Sequence, residues 1–161
     1  MVVAVFPGRF QPLHRGTFQA IRHLDRRHHV VIAVRNAATM NTASNPLSFS
    51  ERKHILDTCL PGHDIFPIAD GGSLQDLVDH TADKIAFQTL VSGDSDVRDA
   101  FKEQGYSTES PRKYREDTYS GEKTRMTAAE NDGRWKDLVP SCSIQLLEQF
   151  NFPERMEQLY S

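Results

Sequence analysis

Val2-Val3-Ala4-Val5-Phe6-Pro7-Gly8-Arg9-Phe10-Gln11-Pro12-Leu13-His14-Arg15-Gly16-Thr17 is the stretch on which the fold turns. Its first five residues are apolar and rich in β-branched side chains, too short a run for a helix, and Pro7-Gly8 ends it; the reading is a buried strand. The loop that follows supplies Gly8 for close backbone approach and Arg9 as a forked cation. It then places His14 just ahead of Gly16 and a helix start, where unpaired N–H groups favour anions. Phe18, Ile21 and Leu24 recur at helical spacing, and a second β-branched run occupies 30–34. Strand, loop, helix and strand in this order open a parallel α/β sheet, whose ligands bind beyond the carboxyl ends of the strands at the switch point. No Walker A sequence is present and no Gly-x-Gly-x-x-Gly follows the strand, which excludes the two commonest phosphate loops.

Outward from this unit the alternation continues. Ser48 with Glu51 three residues on has the form of a capping box for a helix stopped by Pro61-Gly62. A strand is expected at 64–69, a helix at 73–85 opened by Ser73, and a strand at 87–91. Ser95 is read as the cap of a helix ending at Gly105, followed by a weak edge strand from Tyr106. Residues 110–117 are polar and read as a loop. Its cluster Arg112, Lys113 and Arg115 beside Tyr114 is open to two readings, a guide for an anionic ligand or a solvated loop. From Ser120 the chain is helical again, with Trp135, Leu138 and Val139 as packing residues and an Ile144, Leu147, Phe150 stripe. The expectation is an α/β fold, a Rossmann-like doubly wound parallel sheet. It forms a single domain over 1–161, in which the helical part from about residue 120 closes the phosphate site.

Composition limits the function. The 161 residues are 38% apolar and 25% charged, with a net charge of -3, a balance that argues against broad nucleic-acid binding. No apolar run approaches the roughly 20 residues that span a bilayer, and the N-terminal run lacks a basic lead-in, so no membrane partner and no signal peptide are expected. Cys59 and Cys142, the only cysteines, stand in no metal or redox spacing and are read as reduced core thiols of a cytoplasmic protein. His23, His28 and His29 do not put three ligands on one helical face, so no protein-held metal site is expected.

The motif set resembles the archaeal-type nicotinamide-nucleotide adenylyltransferases, within the nucleotidyltransferase superfamily marked by His-x-Gly-His. The residues that carry the resemblance span nearly the whole chain: Gly-Arg-Phe-Gln-Pro-Leu-His-Arg-Gly (8–16), Asn45-Pro46, Ser50-Glu51-Arg52, Ser92-Gly93-Asp94, Tyr119-Ser120-Gly121 with Arg125, and Asp137-Leu138-Val139-Pro140. The resemblance implies transfer of AMP from ATP to nicotinamide mononucleotide, with Mg2+ assisting and NAD and pyrophosphate as products. It implies that Arg9 and His14 contact the triphosphate, that Arg52 places substrate or product phosphates, and that Ser120 and Arg125 close over the β- and γ-phosphates. Gly8, Phe10, Gly16, Ser92, Gly93 and Asp94 complete the nucleotide site on the same basis. Partners are small nucleotides, and the resemblance is compatible with a homo-oligomer.

Departures from the pattern define the alternatives. Thr17 stands where the second histidine of the motif is expected, and is counted with His14, Arg9 and Arg125 in the catalytic set as a hydroxyl donor without positive charge. Glu122 replaces a threonine after Ser120-Gly121, Asp94 replaces an asparagine, and no tryptophan occurs in 72–76 to stack a pyridine ring. Asp94 is read as a helix cap or as a contact to a ribose or amide of the ligand. Two other functions therefore stand beside the first: transfer to another phosphomonoester, or nucleotide binding by a catalytically impaired paralogue.

Overall fold

The computed structural model describes residues 1–161, with five strands and seven α-helices in α/β order. Chain contacts divide them into two compact units, each assembled from separate stretches of sequence.

The first unit comprises Met1–Arg9, Ala20–Ala38 and His63–Lys113 and contains the whole sheet. Strands β1 (Val2–Gly8), β2 (His28–Val34), β3 (Ile65–Pro67), β4 (Thr89–Val91) and β5 (Ser107–Glu109) lie in the order β3-β2-β1-β4-β5. Every pairing is parallel. The expected doubly wound sheet is the one observed, and the order reverses at β1. β1 and β2 are in register from Val2 opposite His28 to Gly8 opposite Val34, and Val5, Val31 and Ala33 are buried with Ile68, Leu77 and Leu90 in one core. Such near-continuous apolar runs are what a parallel sheet covered on its faces requires. Helices α3 (Leu74–Lys84) and α4 (Ser95–Glu103) belong to this unit. β3 is shorter than expected, with Pro67, which has no N–H to donate, at its end on the sheet edge. Asp70, 1% exposed, accepts from Arg35 Nε at 3.1 Å and from the Asn36 N–H at 2.7 Å, tying the chain after β2 to the chain after β3.

The second unit comprises Phe10–Gln19, Thr39–Gly62 and Tyr114–Ser161. It holds α2 (Phe49–Cys59), α5 (Gly121–Ala129), α6 (Ser141–Gln149), α7 (Phe152–Leu159), a 3-10 turn at Arg134–Leu138 and the start of α1 (Arg15–Leu24). The capping box of α2 forms as read, with Ser48 Oγ accepting from the Glu51 N–H at 3.1 Å and Glu51 returning to the Ser48 N–H at 2.9 Å. Trp135 is 1% exposed and meets Phe152 edge-on at 5.8 Å, so it packs inside this unit.

Three expectations are corrected. Cys59 and Cys142 are joined in a disulfide, with Cα atoms 5.5 Å apart, because the end of α2 and the first turn of α6 meet; spacing along the chain carries no information about that. The cap of α4 is Asp94, which accepts from the Asp96 N–H at 2.9 Å, and Ser95 is already helical. The apolar stripe ending at Phe150 is followed by a separate helix, α7, because Asn151 takes a left-handed conformation (φ 55°) and Pro153 opens the new helix.

Candidate active site

Phe10, in the loop after β1, takes a left-handed conformation (φ 52°) and is buried. Gln11, 2% exposed, is fixed at both ends: its Nε2 donates to the Leu47 carbonyl at 2.9 Å and its Oε1 accepts the Leu47 N–H at 2.8 Å. Its own carbonyl accepts Arg125 Nη1 at 2.9 Å. Gln11 therefore ties the loop, the 45–47 segment and α5 together.

His14 caps α1. Its Nδ1 accepts the N–H of Gly16 at 3.1 Å and that of Thr17 at 3.4 Å, while Nε2 lies 3.1 Å from Thr17 Oγ1. The N–H groups of the first helical turn, expected from the sequence to be available for phosphate, are thus partly used by the imidazole. A Cβ at position 16 would sit 3.1 Å from the His14 ring and 3.2 Å from the Tyr114 carbonyl, so glycine is what fits there. Burial, and then the charge of Arg125, push the His14 pKa down to about 4, and the ring is neutral at pH 7.

Arg125 projects from the second turn of α5 and is 4% exposed. Its Nε is buried without a protein partner. A buried charged donor left unpaired is costly, and an anionic oxygen is the group that satisfies it. Ser120 caps the same helix, accepting from the Lys123 N–H at 3.0 Å, and the exposed Glu122 lies in the first turn where a carboxylate suits the helix dipole. Arg52 is fully buried on α2 with Nε on the Ser48 carbonyl at 3.2 Å.

The structure thus places His14, Gly16, Thr17, Ser120 and Arg125 in one unit, where the Gln11 carbonyl holds Arg125. Phe10 and Arg52 belong to that unit too, whereas Gly8, Arg9, Ser92, Gly93 and Asp94 lie in the sheet unit. Gly8 ends β1 with its carbonyl on the Arg35 N–H at 2.8 Å, and Arg9 is exposed. Ser92 is held by Arg98, whose Nη1 donates to its carbonyl at 2.7 Å, and its Oγ accepts the Asp94 N–H at 3.1 Å. Gly93 is open to solvent, and Asp94 serves as the cap of α4, one of its two readings. In the 112–115 cluster, Arg115 lies over the Tyr119 ring at 5.8 Å. Sequence reasoning missed Gln11 and the Arg155 clamp on Glu51; the first lay in a quoted motif, while the second had no signal. Arg155 Nη1 donates to Glu51 Oε1 at 2.9 Å, its Nη2 pairs with the other oxygen, and Nη1 also reaches the Pro46 carbonyl at 3.3 Å.

The cytidylyltransferase-like family pattern matches residues 5–131, which include the loop after β1, the 92–94 turn and Arg125. The chain belongs to the cytidylyltransferase-like family. Among curated relatives of this cytidylyltransferase-like chain, a nicotinamide-nucleotide adenylyltransferase of Ignicoccus hospitalis is 27% identical over 97% of the chain and 96% of the relative. One of Pyrococcus horikoshii bearing the same name is 28% identical over 99% of the chain and 89% of the relative. A bifunctional NMN adenylyltransferase/ADP ribose pyrophosphatase of Francisella tularensis, solved with AMP and a manganese ion, superposes with a TM-score of 0.72 at 21% identity. This second comparison bears on the fold. The cytidylyltransferase-like chain is covered to 99% but spans 52% of that larger protein.

Proposed function

We propose that the chain transfers AMP from ATP to nicotinamide mononucleotide, giving NAD and pyrophosphate. The observation that carries this reading is Arg125: buried, anchored through Nη1 on Gln11, with Nε unpaired beside a neutral His14. Such a donor calls for an oxygen-rich anion, and the names of near-full-length relatives supply the two nucleotides. A 5′-phosphate oxygen of the mononucleotide attacks the α-phosphorus of ATP. The new P–O bond forms as the bond to the α,β-bridging oxygen breaks, and pyrophosphate leaves with that electron pair. The nucleophile is already anionic at neutral pH, so positioning and charge stabilisation provide the acceleration.

In this reading Arg9 contacts the triphosphate, the His14–Thr17 pair contacts it through the Thr17 hydroxyl, Ser120 and Arg125 take the β- and γ-phosphates, and Arg52 places a further phosphate. Gly8, Phe10 and Gly16 contribute backbone, and the 92–94 turn meets the nucleoside. The helical part from about residue 120 closes this site, and the chain works as one functional domain. Mg2+ enters as a guest of the triphosphate oxygens, where it would neutralise charge. No helix is long and apolar enough to cross a membrane. The reading keeps nucleotides as partners, excludes nucleic acid on the net charge of -3, and retains the homo-oligomer on the resemblance. With the thiols paired, a cytoplasmic setting rests on the substrate class alone.

A second acceptor has one observation in its favour. The only tryptophan, Trp135, is buried against Phe152 and provides no stacking surface. The test is purified protein with Mg2+, ATP and a panel of phosphomonoesters, following pyrophosphate and dinucleotide. NAD from nicotinamide mononucleotide is expected, with Arg125→Ala lowering kcat/KM about a hundredfold or more. Turnover only with another acceptor moves the assignment to that acceptor, and absence of pyrophosphate from every pairing refutes the transfer.

A further inference from the structure

Resting on the reading of this site as one for phosphate, we propose that His14 and Thr17 work as a single relayed donor: His14 Nε2–H donates to Thr17 Oγ1, and the Thr17 O–H is thereby directed to a phosphate oxygen of the ligand. The tautomer follows from the cap of α1. His14 Nδ1 faces two backbone N–H groups, those of Gly16 and Thr17, at 3.1 and 3.4 Å. A proton on Nδ1 would point at donors and break the cap, so the ring of the capped helix carries its proton on Nε2. That N–H lies 3.1 Å from Thr17 Oγ1, which must therefore accept. The hydroxyl hydrogen is left over. A hydroxyl oxygen that accepts a hydrogen bond is a stronger donor through its own hydrogen.

The groups around the imidazole keep it in this role. From α5, the Arg125 guanidinium opposes a second positive charge and burial opposes it further. From the loop before α5, the Tyr114 carbonyl closes on Gly16, 3.2 Å from where a Cβ would stand. On α1 itself, Arg15 turns away and donates through Nε to the Val139 carbonyl at 3.0 Å. The division of labour is then plain. Arginine supplies the charge, and the imidazole–hydroxyl pair supplies one oriented, uncharged hydrogen bond. Valine at 17 keeps the shape and removes the relay, whereas serine keeps it.

Two measurements test this without depending on the acceptor. Imidazole nitrogen NMR of the wild-type protein is expected to show the Nε2–H tautomer of His14 from about pH 8 to about pH 5.5, with titration only toward pH 4. Inorganic tripolyphosphate is expected to perturb the Nε2 resonance in wild type and in Thr17→Ser. In Thr17→Val its affinity falls roughly tenfold or more, with the helical circular dichroism unchanged. An Nδ1–H tautomer in the wild type overturns the proposal by itself, even if no variant folds, and so does wild-type tripolyphosphate affinity in folded Thr17→Val. Weakened tripolyphosphate binding in Thr17→Val, rescued by Thr17→Ser, in a protein that makes no NAD leaves the relay standing and removes the acceptor assignment instead.

Discussion

Gly121 shows how closely Arg125 is held. A Cβ there would come within 2.9 Å of Arg125 Nη1 and 3.9 Å of the Gln11 carbonyl, so the absent methyl is the space in which the guanidinium lies. Gly121→Ala is expected to leave the fold intact, since the end of a side chain can shift, but to move the guanidinium off Gln11. Tripolyphosphate affinity measured by calorimetry should drop about tenfold or more while Tm changes by a few degrees at most. Wild-type affinity would count against the placement of Arg125. At this scale the sequence was partly legible. Gly16, His14 and Arg125 are singled out by residue type, and the structure places them in one unit. The use of Gln11 is not legible in this way, because a neutral amide that joins Leu47 to α5 is defined by residues 36 and 114 positions away. In the sequence Thr17 reads as a lost histidine, whereas in the fold its hydroxyl is engaged by His14 Nε2.

Helix α2 is fixed at its first turn by α7. Burial pushes the Glu51 carboxyl up, but the hydrogen bonds from Arg155 and the Ser48 N–H more than offset this, so its pKa lies below the ordinary carboxylate value. The same pairing raises Arg155. A depressed carboxylate contributes stability above its unfolded pKa and loses it as pH falls through the folded value. Arg155→Ala is therefore expected to destabilise by about 1–3 kcal/mol near pH 7 in urea unfolding, with the gap to wild type narrowing below about pH 4. A gap independent of pH would rule out the ion pair as its source. Elements whose signals are local were readable in advance: β1, the Ser48 box and the Ser73 cap of α3 all involve residues within a few positions of each other. The cap of α4 was assigned one residue late because Asp94 and Ser95 are both good caps and only backbone conformation chooses between them. Helix α7 was missed because its start depends on the backbone turn at Asn151, which apolar spacing does not encode.

For the molecule as a whole, the doubly wound order was legible because alternating strands and helices admit few topologies. Division into two units was not, since each is sewn from three separated stretches. The disulfide belongs to the same class of long-range fact: it closes a separation of 83 residues between α2 and α6. Constraining the unfolded chain over such a loop is worth roughly 4.5 kcal/mol in the entropy treatment. Adding a reductant, or replacing both cysteines by serine, should lower Tm clearly, and identical melting with and without reductant would show that the bond is not made in solution. The clamp on Gln11 has its own consequence for how the protein breathes. Three stretches far apart in the chain share one amide and one carbonyl at a buried residue, so none of them can fray alone without stripping partners from the others. Opening and reclosing of the loop after β1 is then a concerted event, and a lesion at any one of the three stretches is felt as slack in all of them.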